Sequence, residues 1–148
     1  MSNQELARSL FAAGGPAALA TLTPSGTPFA SYVVTAPAAD GSPLMLLSRL
    51  AEHTKNLEHD PRASLLFVRE PLPGDEAMTA MRLTLTGRCN KDADPKSREL
   101  YLARHPDAAR YADFSDFSLY RFEIEQGHLV AGFGRIVGLT REELLSPT

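Results

Sequence analysis

The sequence predicts a mainly β fold, in which six or seven antiparallel strands pack as a small closed or split barrel of Greek-key type with flanking helices. Two observations support this prediction. Short β-forming segments recur along the chain, and most of them are joined by turns rather than by crossover helices. The length of 148 residues is typical of one domain, so residues 1–148 are expected to form a single domain.

The first third of the chain is predicted to be a helix followed by three strands. Ser2 and Glu5 have the spacing of a capping box, which predicts a helix over residues 3–13 that ends at Gly14-Gly15-Pro16. Three β-forming runs separated by turn residues follow, and they predict strands over residues 17–23, 29–35 and 44–47.

A second helix is predicted over residues 49–59, with Ser48 as its N-cap and with Leu50 and Leu57 on its inner face. Asp60-Pro61 ends it, because a residue before proline is pushed out of the helical region. A fourth strand over 63–68 and a long loop over 70–80 come next.

Residues 82–89 alternate between apolar and polar side chains, which predicts a half-buried strand with Leu83 and Leu85 facing inward. Asp94-Pro95 is a good N-cap and first-turn pair for a helix that continues to about Arg104, and a short helical turn to Tyr111 follows. The remaining residues predict a strand over 117–125, a turn at Gln126-Gly127 and a last strand over 128–133.

The composition excludes several classes of protein. A formal net charge of −3 argues against general binding of nucleic acid, which needs a surplus of Lys and Arg. Cys89 is the only cysteine, so an intrachain disulfide is impossible, and a reducing, cytoplasmic location is expected. No apolar stretch approaches the ~20 residues that span a bilayer, so no membrane partner is expected. The four histidines lack the spacings of a zinc site, so no metal is expected.

The segment from residue 44 to residue 67 offers the most specific functional pattern. An apolar strand ends at Ser48 and a helix is predicted to begin at once; helix starts bind phosphate through free amides and a positive dipole end. The first turns add basic and polar side chains, namely Arg49, His53, Thr54, Lys55 and Asn56. These residues predict a phosphate site, and a solvated helix face capped by Ser48 is an equally well supported alternative.

Two segments resemble the pyridoxamine 5′-phosphate oxidase-like superfamily: TLTPSGTP at 21–28 and HTKNLEHDPRASLLF at 53–67. Three later blocks resemble its haem-utilisation branch in particular, namely RLTLTGR, YLARHPDAARY and DFSLYRFEIEQGHLVAGFG. The similarity extends over nearly the whole chain. It implies a six-stranded split barrel and a homodimer that binds FMN in clefts at the subunit interface.

The resemblance also implies which residues contact the flavin. The set implied for the phosphate and the ribityl chain is Leu47, Ser48, Arg49, His53, Thr54, Lys55 and Asn56. Ser31 stands where the parent oxidase has a phosphate-binding arginine, and Arg82 stands where it has a glutamine near the flavin ring. His53 replaces the more usual lysine, so phosphate affinity is expected to be weaker or to shift to Arg49 and Lys55.

The resemblance supports an FMN-dependent oxidoreductase acting on an unknown small molecule, with no catalytic residue assigned. The chain has no tryptophan, so it lacks the C-terminal tryptophan that recognises pyridoxamine phosphate, and vitamin B6 oxidation is not expected. One alternative is a haem-binding or haem-utilisation protein of the same fold. The haem-degrading members have a histidine ligand near the C-terminus, and this chain has none beyond His128. A further alternative is a non-catalytic binder of flavin or deazaflavin.

Overall fold

The computed structural model describes residues 1–132 and 134–145, which form seven strands and four α-helices. The strands are β1 (Gly15–Leu22), β2 (Pro28–Pro37), β3 (Pro43–Ser48), β4 (Arg62–Val68), β5 (Arg82–Lys91), β6 (Phe117–Val130) and β7 (Ile136–Thr140). The α-helices are α1 (Asn3–Phe11), α2 (Glu52–His59), α3 (Pro95–Arg104) and α4 (Arg141–Leu144). Short 3-10 helices lie at Ala77–Thr79 and Pro106–Arg110.

Six of these strands close into an antiparallel barrel. Their order is β3-β2-β1-β4-β5-β6, the pairing of β3 with β6 completes the ring, and β7 extends the sheet beyond β6. The pairing of β2 with β3 is short, because it spans only Thr35–Pro37 on β2, while β2 pairs with β1 along Pro28–Thr35. The predicted mainly β barrel with flanking helices is confirmed.

The barrel interior is filled by the side chains that point inward from each strand. On β5, Leu83 and Leu85 are fully buried, while Arg82 and Thr84 point outward, as the alternation predicts. Cys89 lies on the inward side and is buried, and burial raises the pKa of its thiol to about 12. This thiol is therefore an inert part of the core.

Helices cover part of the barrel. Leu57 of α2 joins the main core beside Leu19 of β1, and Phe11 of α1 packs on Phe67 with ring centroids 6.0 Å apart. Tyr101 of α3 belongs to a second cluster of buried residues on the outside of β2, β3 and β6, with Ala36, Leu44 and Leu119. We call this helix-covered outer surface the covered face.

The outward side of β1, β4, β5 and the first half of β2 is not covered by a helix. Ala18 of β1 is the register partner of Tyr32 on β2 and of Leu66 on β4, and all three are exposed. Val68 and Arg82 are the next outward pair, between β4 and β5. We call this surface the open face; Thr84 of β5 and His128 of β6 continue it.

The second helix starts later than the sequence predicts. It begins at Glu52 with Ala51 as N-cap, so the predicted start at Arg49 and the predicted N-cap at Ser48 are both wrong. The Ser48 hydroxyl accepts from the Leu50 amide and donates to Asp116, which forms a separate turn before the helix. In that turn Leu50 is 70% exposed, so its predicted inward position is also wrong.

The C-terminal strands also differ from the prediction. Gln126 and Gly127 do not form a turn; both lie inside the continuous strand β6. A Cβ at Gly127 would lie 2.7 Å from Cδ1 of Leu144 on α4, so a larger residue there would require that side chain to move. Strand β7 and helix α4 were not predicted. Phe133, predicted as the end of the last strand, lies outside the described residues.

No helix within the described residues is long and apolar enough to cross a membrane.

Candidate ligand site

The open face contains an apolar depression of about 480 Å³. It is lined by Pro16, Ala17, Ala18, Ala30, Ser31, Tyr32, Leu66, Val68 and Glu70. Tyr32 is 71% exposed, Val68 52% and Leu66 38%, so three large apolar side chains face solvent together. Contiguous exposed apolar surface of this kind marks a binding site for a ligand or another protein.

Two other depressions are more polar. One, also about 480 Å³, lies between β6 and α4 and is lined by charges of both signs, among them Arg88, Glu123 and Arg141. The other, about 270 Å³, contains His128 with the hydroxyls of Thr84, Thr86 and Thr140. Neither offers a broad apolar surface, so the depression on the open face is the best candidate for a large planar ligand.

Beside this depression the structure brings together two of the predicted site residues. Ser31 lies on the part of β2 that β3 does not pair with, and its Oγ is 2.9 Å from Nδ1 of His53 on α2. Ser31 Oγ is also 3.5 Å from the carbonyl oxygen of Leu19, to which it donates. Ser31 is the register partner of buried Leu19, so its side chain lies on the side of β2 opposite Tyr32, and helix α2 meets it there.

His53 is half-buried, and this burial lowers the pKa of its imidazole below the ordinary value. The imidazole is therefore neutral at pH 7, which is the form that binds a metal ion. Among the described residues Nε2 makes no hydrogen bond, and it is not one of the buried unpaired atoms. Nε2 is therefore not fully buried.

Other predicted site residues serve the packing of α2. Asn56 is buried and donates from Nδ2 to Oγ1 of buried Thr21, 3.1 Å away. Thr54 is 1% exposed, and its Oγ1 has no hydrogen-bond partner within the described part of the chain. Leu47 is buried in the main core. These three side chains are directed away from solvent.

The predicted cations are separate from one another in their contacts. Arg49 is exposed, and its amide donates to the carbonyl of Asp116 at 2.6 Å. Lys55 is exposed on α2 and pairs with Glu52 at 3.5 Å. Arg82 lies across the open face on β5, where its Nη1 donates to the carbonyls of Met78 and Ala80 and so holds the end of the 70–80 loop.

Sequence reasoning missed the apolar residues of the open face, although a signal for them exists. The runs Tyr32-Val33-Val34 and Leu65-Leu66-Phe67-Val68 are apolar at consecutive positions, whereas a strand with one solvated face alternates. Such runs indicate that both faces of β2 and β4 become covered. Within residues 1–132 and 134–145, no helix covers the outward side of these two strands.

Comparison with known proteins identifies the family. The model for the CREG β-barrel matches residues 1–145 of the chain. The chain belongs to the CREG β-barrel family. This CREG-type chain is also 41% identical over 110 residues to the chloroplastic non-canonical heme oxygenase HOZ of Arabidopsis thaliana, a match that covers 72% of this chain and 33% of that protein.

Two further relatives of this CREG-type barrel are named for haem. Heme oxygenase HutZ of Vibrio cholerae is 26% identical over 135 residues, which cover 86% of this chain and 75% of HutZ. The solved heme binding protein from Mycobacterium smegmatis superposes with a TM-score of 0.88 at 34% identity, over 97% of this chain and 60% of that one. The chain thus spans about a third of the plant protein and 60% of the mycobacterial chain.

These comparisons correct the cofactor prediction. The relatives are named heme oxygenase or heme binding protein rather than for a flavin, so the predicted FMN cofactor and the FMN-dependent oxidoreductase are wrong. The haem-utilisation part of the resemblance agrees with the names of the relatives. The resemblance predicted the wrong cofactor because proteins with one barrel fold can bind different ligands. The short motifs that carry the resemblance lie where α2 packs on the barrel.

Proposed function

We propose that this protein binds haem at its open face, as a homodimer, and that it acts in haem degradation. The observation that supports this most is the apolar depression of about 480 Å³ on the open face, where Tyr32, Leu66 and Val68 face solvent together. The names of the plant, Vibrio and mycobacterial relatives point to the same ligand.

The residues around the depression fit the chemistry of haem. The macrocycle needs apolar surface, which Tyr32, Leu66 and Val68 provide. The iron needs an axial ligand from a side chain, which in haem proteins is a histidine, cysteine, methionine or tyrosine. The propionates need cations, and we assign that role to Arg49 and Lys55 near α2, with Arg82 at the opposite side of the open face.

Each of these groups has a separate task. Haem bound at this face supplies the one-electron and O2 chemistry, which no side chain of the protein can supply. The apolar side chains remove water from one face of the macrocycle. Arg82 places a fixed positive charge beside Val68, and its contacts with the Met78 and Ala80 carbonyls hold the guanidinium in place.

The homodimer follows from the same surface. Tyr32, Leu66 and Val68 are too exposed for a protein that stays monomeric with no ligand, and a second copy that buries the open face would cover them. Haem would then lie in a cleft between the open face of one subunit and the second subunit. A cleft of this kind excludes water better than a surface depression.

Haemin binding tests the proposal directly. The purified protein is mixed with haemin, desalted and examined by visible absorption spectroscopy. We expect the wild-type protein to retain haem with a spectrum distinct from that of free haemin. We expect Val68→Asp to weaken binding about tenfold or more, the equivalent of at least ~1.4 kcal/mol. Thr86→Asp on the polar part of the same surface is the matched control and should bind as wild type does.

The degradation step has its own test. The haem-loaded protein is given ascorbate and O2, and loss of the haem absorption is followed together with the appearance of an open-chain tetrapyrrole. Retention of intact haem under these conditions would leave a binding protein without degrading activity. A wild-type protein that releases all added haemin on desalting would overturn the proposal as a whole.

A further inference from the structure

We propose that the haem iron at the open face of one subunit is bound by His128 of the partner subunit, so that each haem site is built from two chains. This inference rests on the proposed function, and it goes further because it names the iron ligand and defines how the two open faces meet. It concerns a single row of side chains that crosses the open face, one from each strand.

The strand register defines this row. Register partners on neighbouring antiparallel strands point to the same side of the sheet. Across β2, β1, β4, β5, β6 and β7, the consecutive register partners are Tyr32, Ala18, Leu66, Thr84, His128 and Gly138. Five of the six are exposed and Thr84 is half-buried. The row therefore extends on the outside of the barrel from the apolar depression to the imidazole of His128.

His128 lies too far from the depression of its own chain to bind an iron atom centred there. Three ladders separate β6 from β1, and at roughly 4.8 Å per ladder His128 is about 14 Å from Ala18 along the sheet. This is more than the distance from the iron to the rim of the macrocycle. The depression is lined from β1, β2, β4 and Glu70. An imidazole over Ala18 therefore comes from another chain.

The sizes of the side chains make the row complementary to a second copy of itself. A two-fold axis parallel to the strands, between β4 and β5, reverses the row. An axis across the strands would instead place each large side chain against its own copy. With the parallel axis every opposed pair joins a large side chain to a small one: Tyr32 with Gly138 of the partner subunit, Ala18 with the partner's His128, and Leu66 with the partner's Thr84.

Two barrels that meet in this way leave a cleft on each side of the contact. A closed barrel is convex, so the two surfaces diverge from Leu66 and Thr84 at the centre. One cleft lies between Ala18, whose side chain is a single methyl group, and His128 of the partner subunit. The second cleft has the same residues with the subunits exchanged. Each dimer thus has two equal sites, with the apolar surface from one chain and the imidazole from the other.

The surroundings of His128 leave its ring free to reach the partner. It is exposed, and its neighbour on β7 is Gly138, where an added Cβ would meet no atom within 4 Å. Two other histidines have partners within their own chain. His105 contacts the Thr35 carbonyl at 2.8 Å, and His53 contacts Ser31 on the inward side of β2.

Tyr32 is the competing ligand within the depression itself. Tyrosine is an iron ligand in some haem proteins. A phenol must lose its proton to bind iron, whereas histidine binds in its neutral form. The imidazole of His128 is therefore the better ligand at neutral pH.

The contact between subunits extends from the row toward Val68 and not toward Thr86. Val68, Arg82, Val130 and Ile136 are consecutive register partners, and Val68 and Ile136 are exposed apolar residues. The row on the other side contains Thr86 and other polar side chains. Thr86 thus lies at the polar rim, where a charged side chain still reaches solvent.

The first test needs no haem. Ala18→Cys and His128→Cys are prepared as single variants, mixed, and treated with a bismaleimide whose reactive ends lie about 10 Å apart, the spacing of two packed sheets. We expect covalent dimers on a denaturing gel from the mixture and not from either variant alone. Cys89 is buried, so the wild-type protein gives the background. Covalent dimers from Ala18→Cys alone, or none from a mixture that sediments as a dimer, would overturn the inference.

The second test separates the two halves of the site. Ala18→Phe fills the depression with an apolar side chain, and His128→Gly removes the imidazole. Loaded with haemin, neither homodimer should give the absorption and resonance Raman spectra of imidazole-bound iron, and free imidazole should restore them in His128→Gly. His128→Gln is a second variant in case the glycine destabilises β6, and circular dichroism checks folding. His59→Gly is the matched control and should keep the wild-type spectra.

The two variants are then co-expressed with different affinity tags, and the mixed dimer is purified through both tags. One of its two sites has both halves intact, so we expect half of the wild-type content of imidazole-bound haem. If the imidazole and the depression of one chain formed a site together, both sites of the mixed dimer would be defective. A mixed dimer without imidazole-bound haem would therefore overturn the inference.

The outcomes separate this inference from the proposed function. A wild-type protein that does not bind haemin overturns the proposed function, and the assignment of the iron ligand with it. A wild-type protein that binds haemin, together with a His128→Gly variant that keeps the imidazole signature, overturns the inference alone. A change of iron ligand in Tyr32→Phe, with His128→Gly unchanged, would do the same and would identify Tyr32 as the ligand.

Discussion

The covered face and the open face belong to the same barrel, but apolar side chains are buried on the first and exposed on the second. On the covered face, Leu44 and Leu119 are buried beneath Tyr101 of α3, whose hydroxyl donates to the Val34 carbonyl at 3.1 Å. On the open face, Tyr32 and Leu66 are equally apolar and remain exposed. An apolar side chain stabilises the folded protein only where other groups remove it from water.

The covered face therefore contributes mainly to the stability of the fold, and the open face to the proposed binding of haem and a second subunit. The covered face needs no other molecule, because α3 already completes it. The open face is completed only by haem and a second subunit, as proposed above, so its residues contribute little to the folding of one chain. Substitutions on the two faces should therefore affect different measurements.

The largest difference in the free energy of unfolding is expected when one leucine on each face is replaced by alanine. Leu44→Ala on the covered face leaves a cavity and should cost about 2–5 kcal/mol in the free energy of unfolding. Leu66→Ala on the open face, where the side chain is 38% exposed, should cost less than about 1 kcal/mol. Urea unfolding of the two variants measures both values. Equal losses would show that the open face is already packed within one subunit.

A smaller effect is expected at the border of the covered face, where Arg121 pairs with Asp40 at 2.8 Å and with Asp92 at 3.5 Å. Burial raises the pKa of each carboxyl, but hydrogen bonds and the charge of Arg121 outweigh it, so both pKa values lie below the ordinary range. Stability from such groups is present above the unfolded pKa of about 3.9 and is lost as the pH falls through the folded value.

The variant Arg121→Met tests this network. We expect it to lower the free energy of unfolding at pH 7 by about 1.5–3 kcal/mol, the typical contribution of hydrogen bonds to charged groups. The difference from wild type should narrow as the pH falls below about 4, because protonated carboxyls no longer need the arginine. Arg88→Met, an exposed arginine on β5, is the control. A difference that does not depend on pH would contradict the electrostatic explanation.

The smallest effect on folding is expected from a charge on the open face. Leu66→Lys should leave the urea midpoint almost unchanged, since a long side chain at this position reaches solvent. It should nevertheless shift the protein from dimer to monomer in sedimentation velocity, because a lysine cannot be buried there without a partner. Thr86→Lys should remain dimeric. A wild-type protein that is monomeric at micromolar concentration would contradict the proposed dimer.

Most of the fold could be predicted from local patterns. The capping box at Ser2 and Glu5 and the Asp94-Pro95 start of α3 are present in the structure. The alternation of β5 also predicts which side chains point inward. The errors arose where distant contacts decide the local structure. Asp116 accepts hydrogen bonds from the Ser48 hydroxyl and the Arg49 amide, so α2 starts later than predicted. Gly127 lies inside a strand because β6 continues through it to pair with β5 and β7.

The site could be predicted only in part. Ser31 and His53 were assigned to one ligand site from the sequence; their side chains are in contact, with Ser31 Oγ 2.9 Å from Nδ1 of His53, and their role in ligand binding stays a prediction. Thr54 and Asn56 were indistinguishable from ligand-binding residues in the sequence, but they face the interior, because the side of α2 that packs on the barrel depends on the position of β1. The proposed ligand comes from the names of relatives, because an apolar surface alone does not identify what binds to it.

The pairing of β3 with β6 has a consequence for how the chain folds. Leu44 pairs with Arg121, so the last ladder of the ring joins segments that are separated by more than half of the sequence. During synthesis, β1, β2 and β3 leave the ribosome long before β6 exists, and the edge of β3 stays unpaired meanwhile. Pairing of strands that are so far apart in the sequence is slow. Apolar strands that stay unpaired until then are prone to aggregate. We therefore expect refolding to be limited by ring closure and its yield to fall as protein concentration rises.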